Sequence, residues 1–220
     1  PVLVDIPKDI TAETAEFIYP KTIEMRSYNP VIKGHSGQIG KAIDLLVNAK
    51  KPMVYSGGGA VLGDAAKSLT KLVKKLDLPI TNTLMGLGGF PASDENFLGM
   101  LGMHGTYQAN MAMQECDVLL AVGARFDDRV ISNPEHFLKN PKKIIHIDID
   151  PASISKRVKI DIPIVGDVDL VLIDLLKAYE SLEKNHNKTL ISPWKDKIKK
   201  WIDTDCMAYK DDGSVIKPQT

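Results

Sequence analysis

The sequence predicts an α/β protein with a doubly wound, mostly parallel six-stranded sheet and helices on both faces. Three observations predict it. Short apolar runs of β type alternate with stretches of helical periodicity through most of the chain. One run, Asp117-Val118-Leu119-Leu120-Ala121-Val122, is almost continuously apolar, the pattern of a strand covered on both faces. Glycine-rich or charged loops recur where strands should end: Ser56-Gly57-Gly58-Gly59, Thr83-Leu84-Met85-Gly86, Gly102-Met103-His104-Gly105, Gly123-Ala124-Arg125-Phe126-Asp127-Asp128-Arg129 and His146-Ile147-Asp148-Ile149-Asp150. In a Rossmann-like sheet those loops share one rim, and ligands bind there.

The elements follow in order. Pro1-Val2-Leu3-Val4-Asp5-Ile6-Pro7 reads as a strand-like start that lacks an initiator Met, so the chain reads as a piece of a longer protein. A Pro-rich polar passage with Pro7, Pro20 and Pro30 reads as a surface linker. Ile39, Ile43, Leu46 and Val47 mark a first amphipathic helix, and Pro52-Met53-Val54-Tyr55 is a strand ending in the triple glycine. Leu62, Ala65, Ala66, Leu69, Val73 and Leu76 predict one helix, and Leu78-Pro79-Ile80-Thr81 the next strand. Phe97-Leu98-Gly99-Met100 follows a Gly-rich loop, and a helix from about Thr106 to Glu115 leads into the apolar run at 117–122. Lys143–Asp148 and Ile162–Val165 are further strands, and Val168, Val171, Leu172, Leu175, Leu176 and Tyr179 mark a helix. Ser192 is the expected cap of a last helix carrying Pro193, Trp194, Ile198 and Trp201. The end, Asp211–Pro218, reads as a turn and an extended connector.

Composition excludes several classes. With 28 basic and 28 acidic side chains the formal net charge is zero, which favours neither nucleic acid nor an anionic membrane. No apolar run reaches membrane-spanning length and no signal peptide is evident. Cys116 and Cys206 have no metal or redox spacing, so a reducing, cytoplasmic compartment is expected.

The rim residues suit a phosphate-bearing dinucleotide. Gly57, Gly58 and Gly59 either present backbone amides to a phosphate or simply form a tight turn; Leu62 stands where the last glycine of G-x-G-x-x-G belongs, and no Gly-Lys-Ser/Thr follows. Arg125 and Arg129 suit bidentate phosphate recognition, with Asp127 and Asp128 orienting them or capping the turn. Asp148 closes its strand where a carboxylate can hold ribose hydroxyls, or caps the segment before Pro151, a role that Asp150 fits better. Gly166-Asp167 either contributes similarly or caps the helix after it. His104 has no nucleophile to activate, and neither a catalytic constellation nor a metal-binding motif is evident.

Four runs together carry a family resemblance: Val2–Asp9, Leu101-Gly102-Met103-His104-Gly105-Thr106, Gly123–Arg129 and Ile216-Lys217-Pro218-Gln219. They resemble the central domain of acetohydroxyacid synthases (acetolactate synthases), thiamine-diphosphate enzymes of branched-chain amino-acid biosynthesis. The resemblance implies that residues 1–34 are the end of a pyrimidine-binding domain and a linker. Residues 35–182 would be a six-stranded FAD-binding domain, and 183–220 a helix and linker toward a pyrophosphate-binding domain. It implies flavin contacts at Gly57, Gly58 and Gly59, at Thr83, Leu84 and Met85, and at Leu101, Gly102, Met103 and His104. Gly123, Ala124, Arg125, Asp127, Arg129 and Val130 would follow the phosphates and ribityl chain. Asp148, Ile149, Gly166 and Asp167 would line the adenosine end, with Ser153 a weaker candidate. Met103, His104, Asp127 and Arg129 also resemble positions bordering the family's substrate channel.

The implied activity is condensation of two 2-ketoacids, pyruvate with pyruvate or 2-ketobutyrate, with loss of CO₂. The implied cofactors of the intact enzyme are FAD, thiamine diphosphate and Mg²⁺. Its partners would be the flanking domains, a second subunit in a homodimer or tetramer, and a regulatory small subunit. The thiamine site is missing here: Gly166-Asp167 continues into Val168, and no Gly-Asp-Gly followed by asparagines occurs. The 220 residues are therefore expected to be inactive alone. A stand-alone nucleotide- or flavin-binding module and the central domain of another thiamine-diphosphate enzyme, such as glyoxylate carboligase, are the alternatives.

Overall fold

Six short strands alternate with helices in the computed structural model, which describes residues 3–22, 30–182, 188–209 and 213. The chain divides into two units, Pro1–Pro30 and Val31–Thr220. The first holds one short 3₁₀ turn, Ile10–Ala12, with Thr11 Oγ1 donating to Lys8 O. Leu3–Ile6, expected as a strand, belong to no strand. Apolar, β-branched residues favour a pleated surface but do not supply the partner that a strand requires. Pro1 and Val2, residues 23–29 of the linker passage, and the connector residues 211–212 and 214–218 lie outside the described residues.

In the second unit the strands are β1 (Pro52–Ser56), β2 (Ile80–Asn82), β3 (Phe97–Met100), β4 (Val118–Val122), β5 (Lys143–Asp148) and β6 (Ile162–Val165). They form one sheet in the order β3-β2-β1-β4-β5-β6, with every neighbouring pair parallel. The doubly wound prediction therefore holds, without an antiparallel edge. β2 starts two residues later than expected, because Pro79 has no N–H for the ladder.

Alternation along the strands sends side chains to two apolar layers. Val54, Ile80, Leu120, Val122, Ile145 and Ile147 pack against α1 (Ser36–Asn48), α3 (Ala66–Leu76) and α6 (Val168–Glu180). Met53, Tyr55, Leu119, Ala121 and Ile144 pack against α4 (Tyr107–Glu115) and α7 (Ser192–Ile202). Trp194 of α7 is 2% exposed, and its indole Nε1 donates to Pro52 O at 3.0 Å, tying the last helix to the first strand. Lys195 adds an ion pair to Asp77 at 2.6 Å. Ser192 proves to be the first residue of α7 rather than its cap; Ile191 holds the cap position without a side-chain bond.

The single helix expected from Leu62 to Leu76 is broken. A short α2 (Gly58–Leu62) stops at Gly63, and Asp64 adopts a left-handed backbone with φ 50°. Asp64 N donates to Val61 O and Ala65 N to Ala60 O, the paired bonds of a Schellman stop. Leu62 is consequently 90% exposed and belongs to no core stripe. Asn133 caps a further short helix, α5 (Pro134–Phe137), accepting from Glu135 N and His136 N.

Three glycines separate the effects of backbone and space. Gly123 combines φ +56° with a virtual Cβ only 2.7 Å from Gly59 Cα; Gly88 has φ +90° but open space; Gly40, inside α1, has open space and no positive φ. Gly40→Ala is expected to stabilise by about 0.5–1 kcal/mol, and Gly88→Ala to cost about 1–2 kcal/mol. Gly123→Ala should cost about 3 kcal/mol or more, because clash adds to strain. Urea unfolding of the three variants checks this order.

Candidate functional site

The strand order reverses between β1 and β4, so the chains leaving these strands diverge and open a crevice at their carboxyl ends. Here the backbones nearly touch. A Cβ on Gly57 would lie 2.3 Å from Gly123 O, and one on Gly59 would lie 2.7 Å from Gly123 Cα. Gly57 N donates to Val122 O and Gly59 N to Gly123 O. Two of the three glycines are thus required by the neighbouring loop, and only the Gly58 amide is not spent on a carbonyl.

Thr83, Leu84 and Met85 lie beside this crossing. Thr83 Oγ1 accepts from Gly86 N at 3.0 Å and caps a 3₁₀ turn over Leu84–Gly86. Leu84 and Met85 are exposed, and Gly58 faces Met85 closely. Beneath them, at the last residues of β1 and β2, Ser56 Oγ and Asn82 Oδ1 are buried without a protein hydrogen-bond partner.

Leu101 is buried after β3, whereas Met103 and His104 are exposed. Gly102, at φ +97°, is pinned by Asn110, whose side chain accepts from Gly102 N and donates to Gly102 O. A Cβ there would meet Arg129 O at 2.7 Å, and Met103 N donates to that carbonyl. The loop after β3 therefore joins the loop after β4 at Arg129 and Val130.

The loop after β4 turns about one buried ring. Phe126 has a left-handed backbone, φ 54°, and its ring packs edge-on to Tyr55 and His146 at 5.4 and 5.2 Å. Burying Phe126 leaves Arg125 exposed and Asp127 half-buried. Asp127 Oδ1 accepts from Arg129 N at 2.9 Å, and Oδ2 lies 3.8 Å from Arg125 Nη2. The Arg129 amide and the neighbouring arginines hold its carboxyl below the usual value. Asp127 thus both caps the turn and faces Arg125. Arg125, Asp127 and Asp128 line a cavity of about 260 Å³ together with Ser153, Lys156 and Arg157 of the loop after β5.

Asp148 ends β5 and is 8% exposed. Its Oδ1 accepts from Asp150 N, while Oδ2 lies 3.7 Å from His146 Nε2. Asp150 caps the turn Pro151–Ser153 through Ala152 N, as the sequence suggested. Ile149 is exposed. Gly166 N donates to Asp148 O, and Asp167 Oδ1 accepts from Leu170 N, so Asp167 caps α6. The expected residues thus form two flanks: the glycine crossing with Thr83–Met85 on the β1–β2 side, and Asp148, Ile149, Gly166 and Asp167 on the β5–β6 side. Arg125 and Asp127 stand on the loop between them.

Sequence reasoning passed over Ser56, Asn82, His146, Lys156 and Arg157 as site residues. Ser56 and Asn82 carried a signal, being polar residues at the ends of strands covered on both faces. The Lys-Arg pair carried none until the cavity was seen. For a dinucleotide, the crevice offers the Gly58 amide and Arg125 to phosphate, one oxygen of Asp148 to a hydroxyl, and buried polar atoms at the floor. These residues fit such a ligand. Among the described residues, no group of three His, Cys, Asp or Glu is placed to hold a metal, and no helix is long and apolar enough to cross a membrane.

His146 is fully buried, with neither ring nitrogen bonded to protein. Burial lowers its affinity for a proton, against the opposing pull of Asp148 and a nearby Ala124 backbone group. A base with a lowered folded pKa is protonated more readily in the unfolded chain. Stability is then fullest above about pH 6.5 and declines as pH falls below it, by at most about 1.4 kcal/mol per unit. Urea titrations between about pH 7.5 and 5.5 should show this slope, and His146→Leu should flatten it.

Comparison with known proteins agrees with this architecture. The family described as "Thiamine pyrophosphate enzyme, central domain" matches residues 39–175. Over its whole length the chain is 46% identical to the acetolactate synthase large subunit of Haemophilus influenzae and 47% identical to the acetolactate synthase isozyme 3 large subunit of Escherichia coli. It is 40% identical to a probable acetolactate synthase large subunit of Methanococcus aeolicus. The chain spans 38% of the length of each of these relatives.

Proposed function

Because the chain belongs to the thiamine pyrophosphate enzyme family, as its central domain, we propose that it is the FAD-binding part of an acetolactate synthase large subunit. The crossing of the glycine loop with the loop after β4 is the observation that carries a dinucleotide reading. It places Gly58 N, Arg125 and the buried Ser56 and Asn82 oxygens around the point where the strand order reverses. The choice of flavin over nicotinamide rests on the resemblance of Leu101–His104 and Gly123–Arg129 to that family.

On this reading each residue has a defined task. Arg125 offers a planar fork to phosphate and is steadied by Asp127; Asp148 accepts from a ribose hydroxyl with the oxygen that Asp150 leaves free. Exposed Leu84, Met85 and Met103 shield the apolar ring system from water. The flavin supplies an organising platform here, and condensation of two 2-ketoacids with loss of CO₂ belongs to thiamine diphosphate and Mg²⁺ held outside this chain. Residues 35–182 form the flavin unit, 1–34 lead in from a pyrimidine-binding domain, and 183–220 lead out through α7. The whole subunit would act in the cytoplasm as a dimer or tetramer, with a regulatory small subunit as a further partner.

Titration of the chain with FAD, followed by flavin fluorescence and with NAD⁺ as control, tests the reading. Saturable FAD binding is expected, weakened about tenfold or more by Arg125→Ala. Selective binding of NAD⁺ would remove the flavin assignment.

A further inference from the structure

The loop after β5 contributes two cations that neither the resemblance nor the flavin contacts above assign. Lys156 and Arg157 are exposed and face the cavity shared with Arg125, Asp127, Asp128 and Ser153. That cavity holds three cations against two carboxylates. Asp127 is already engaged by Arg129 N and Arg125. Among the described residues, no carboxylate lies within ion-pairing distance of Lys156 or Arg157. Two like charges held side by side in this way favour an anion between the walls.

The walls are also fixed in place. Ser155, at φ 58°, turns the loop, and its Oγ accepts from Ile160 N at 3.3 Å. Val158 and Ile160 are buried in the same apolar cluster as Phe126, on which Arg125 is mounted. Both cationic loops therefore stand on one floor, and binding has to order the three cationic side chains rather than the loops that carry them. At about 260 Å³ the cavity is smaller than the roughly 300–1,000 Å³ that encloses a whole drug-sized ligand. It suits one polar fragment.

We propose that Lys156 and Arg157, opposite Arg125, complete a three-cation site for a phosphate or diphosphate group. For its natural ligand the inference rests on the flavin reading, in which the group is the diphosphate of the dinucleotide. Arg157 supplies a second guanidinium fork and Lys156 a point charge, so the group is gripped from two loops rather than one.

The test is titration of the full chain with FAD, riboflavin and inorganic pyrophosphate, by fluorescence for the flavins and calorimetry for pyrophosphate. The double variant Lys156→Gln/Arg157→Gln should weaken FAD and pyrophosphate about tenfold or more and leave riboflavin unchanged. Lys159→Gln, on the same loop but outside the cavity lining, should change none of them. Arg157→Lys, which keeps the charge but not the fork, should recover only part of the pyrophosphate affinity lost in Arg157→Gln. Both residues are exposed, so the urea midpoint should not move; equal loss of riboflavin binding would mark a structural effect and overturn the proposal. FAD binding that ignores the double substitution overturns it while the flavin reading stands. Pyrophosphate binding that depends on the two cations, with no FAD binding, supports the anion site and removes the flavin reading. If the unaltered chain binds neither FAD nor pyrophosphate, both fall.

Discussion

The rim depends on how closely the chain after β1 passes the chain after β4. Gly57 and Gly59 lie against Gly123 with no room for a side chain on any of the three, and two amide-to-carbonyl bonds close the contact. Each bond contributes only about 0.5–1.5 kcal/mol net, so the crossing is better understood as a specification than as a source of strength. It fixes where α2 begins, and with it the face that Gly58 turns toward Met85. It also fixes the direction in which the residues after Gly123 leave the sheet. Loops that would otherwise be independent surface segments are brought to common coordinates by backbone contact alone.

Phe126 extends that control outward. A non-glycine residue in the left-handed region carries a strain cost, and here the ring's burial among Tyr55, Phe137 and His146 offsets it. The result is a loop whose apolar member points down and whose charged neighbours point out. Asp148 and His146 are two residues apart on β5, and so share a side of the sheet near its end. Burial outweighs the carboxylate beside it and lowers the affinity of the His146 imidazole for a proton.

Much of the architecture was legible because periodicity is a direct print of burial. The uninterrupted apolar run at 118–122 announced a central strand, and β4 does sit between β1 and β5. Alternating strand and helix implied parallel pairing, and every pair is parallel. The misreadings arose where one residue's backbone decides. Leu62 fits a helical stripe by spacing, but the Gly63-Asp64 stop turns it into solvent. Leu3–Ile6 have strand composition and no strand. At the rim, the glycines marked the right loops for a reason that one-dimensional reading leaves open: Gly57 and Gly59 yield space to another loop. Lys156 and Arg157 were illegible because their meaning comes from a cavity shared with residues some thirty positions earlier.

The bond from Trp194 to Pro52 has a temporal consequence. β1 is the first strand of the sheet to leave the ribosome, yet it pairs on one side with β4 and is covered on one face by a helix that begins at Ser192. Until β4 emerges, one long edge of β1 is unpaired; until α7 emerges, the layer that holds Met53 lacks part of its cover. Non-local closure of this kind slows folding and leaves sticky surface exposed in the interim. The nascent chain therefore holds β1, buried at every residue, open until α7 has been made, and that helix acts as the latch that ends its exposure.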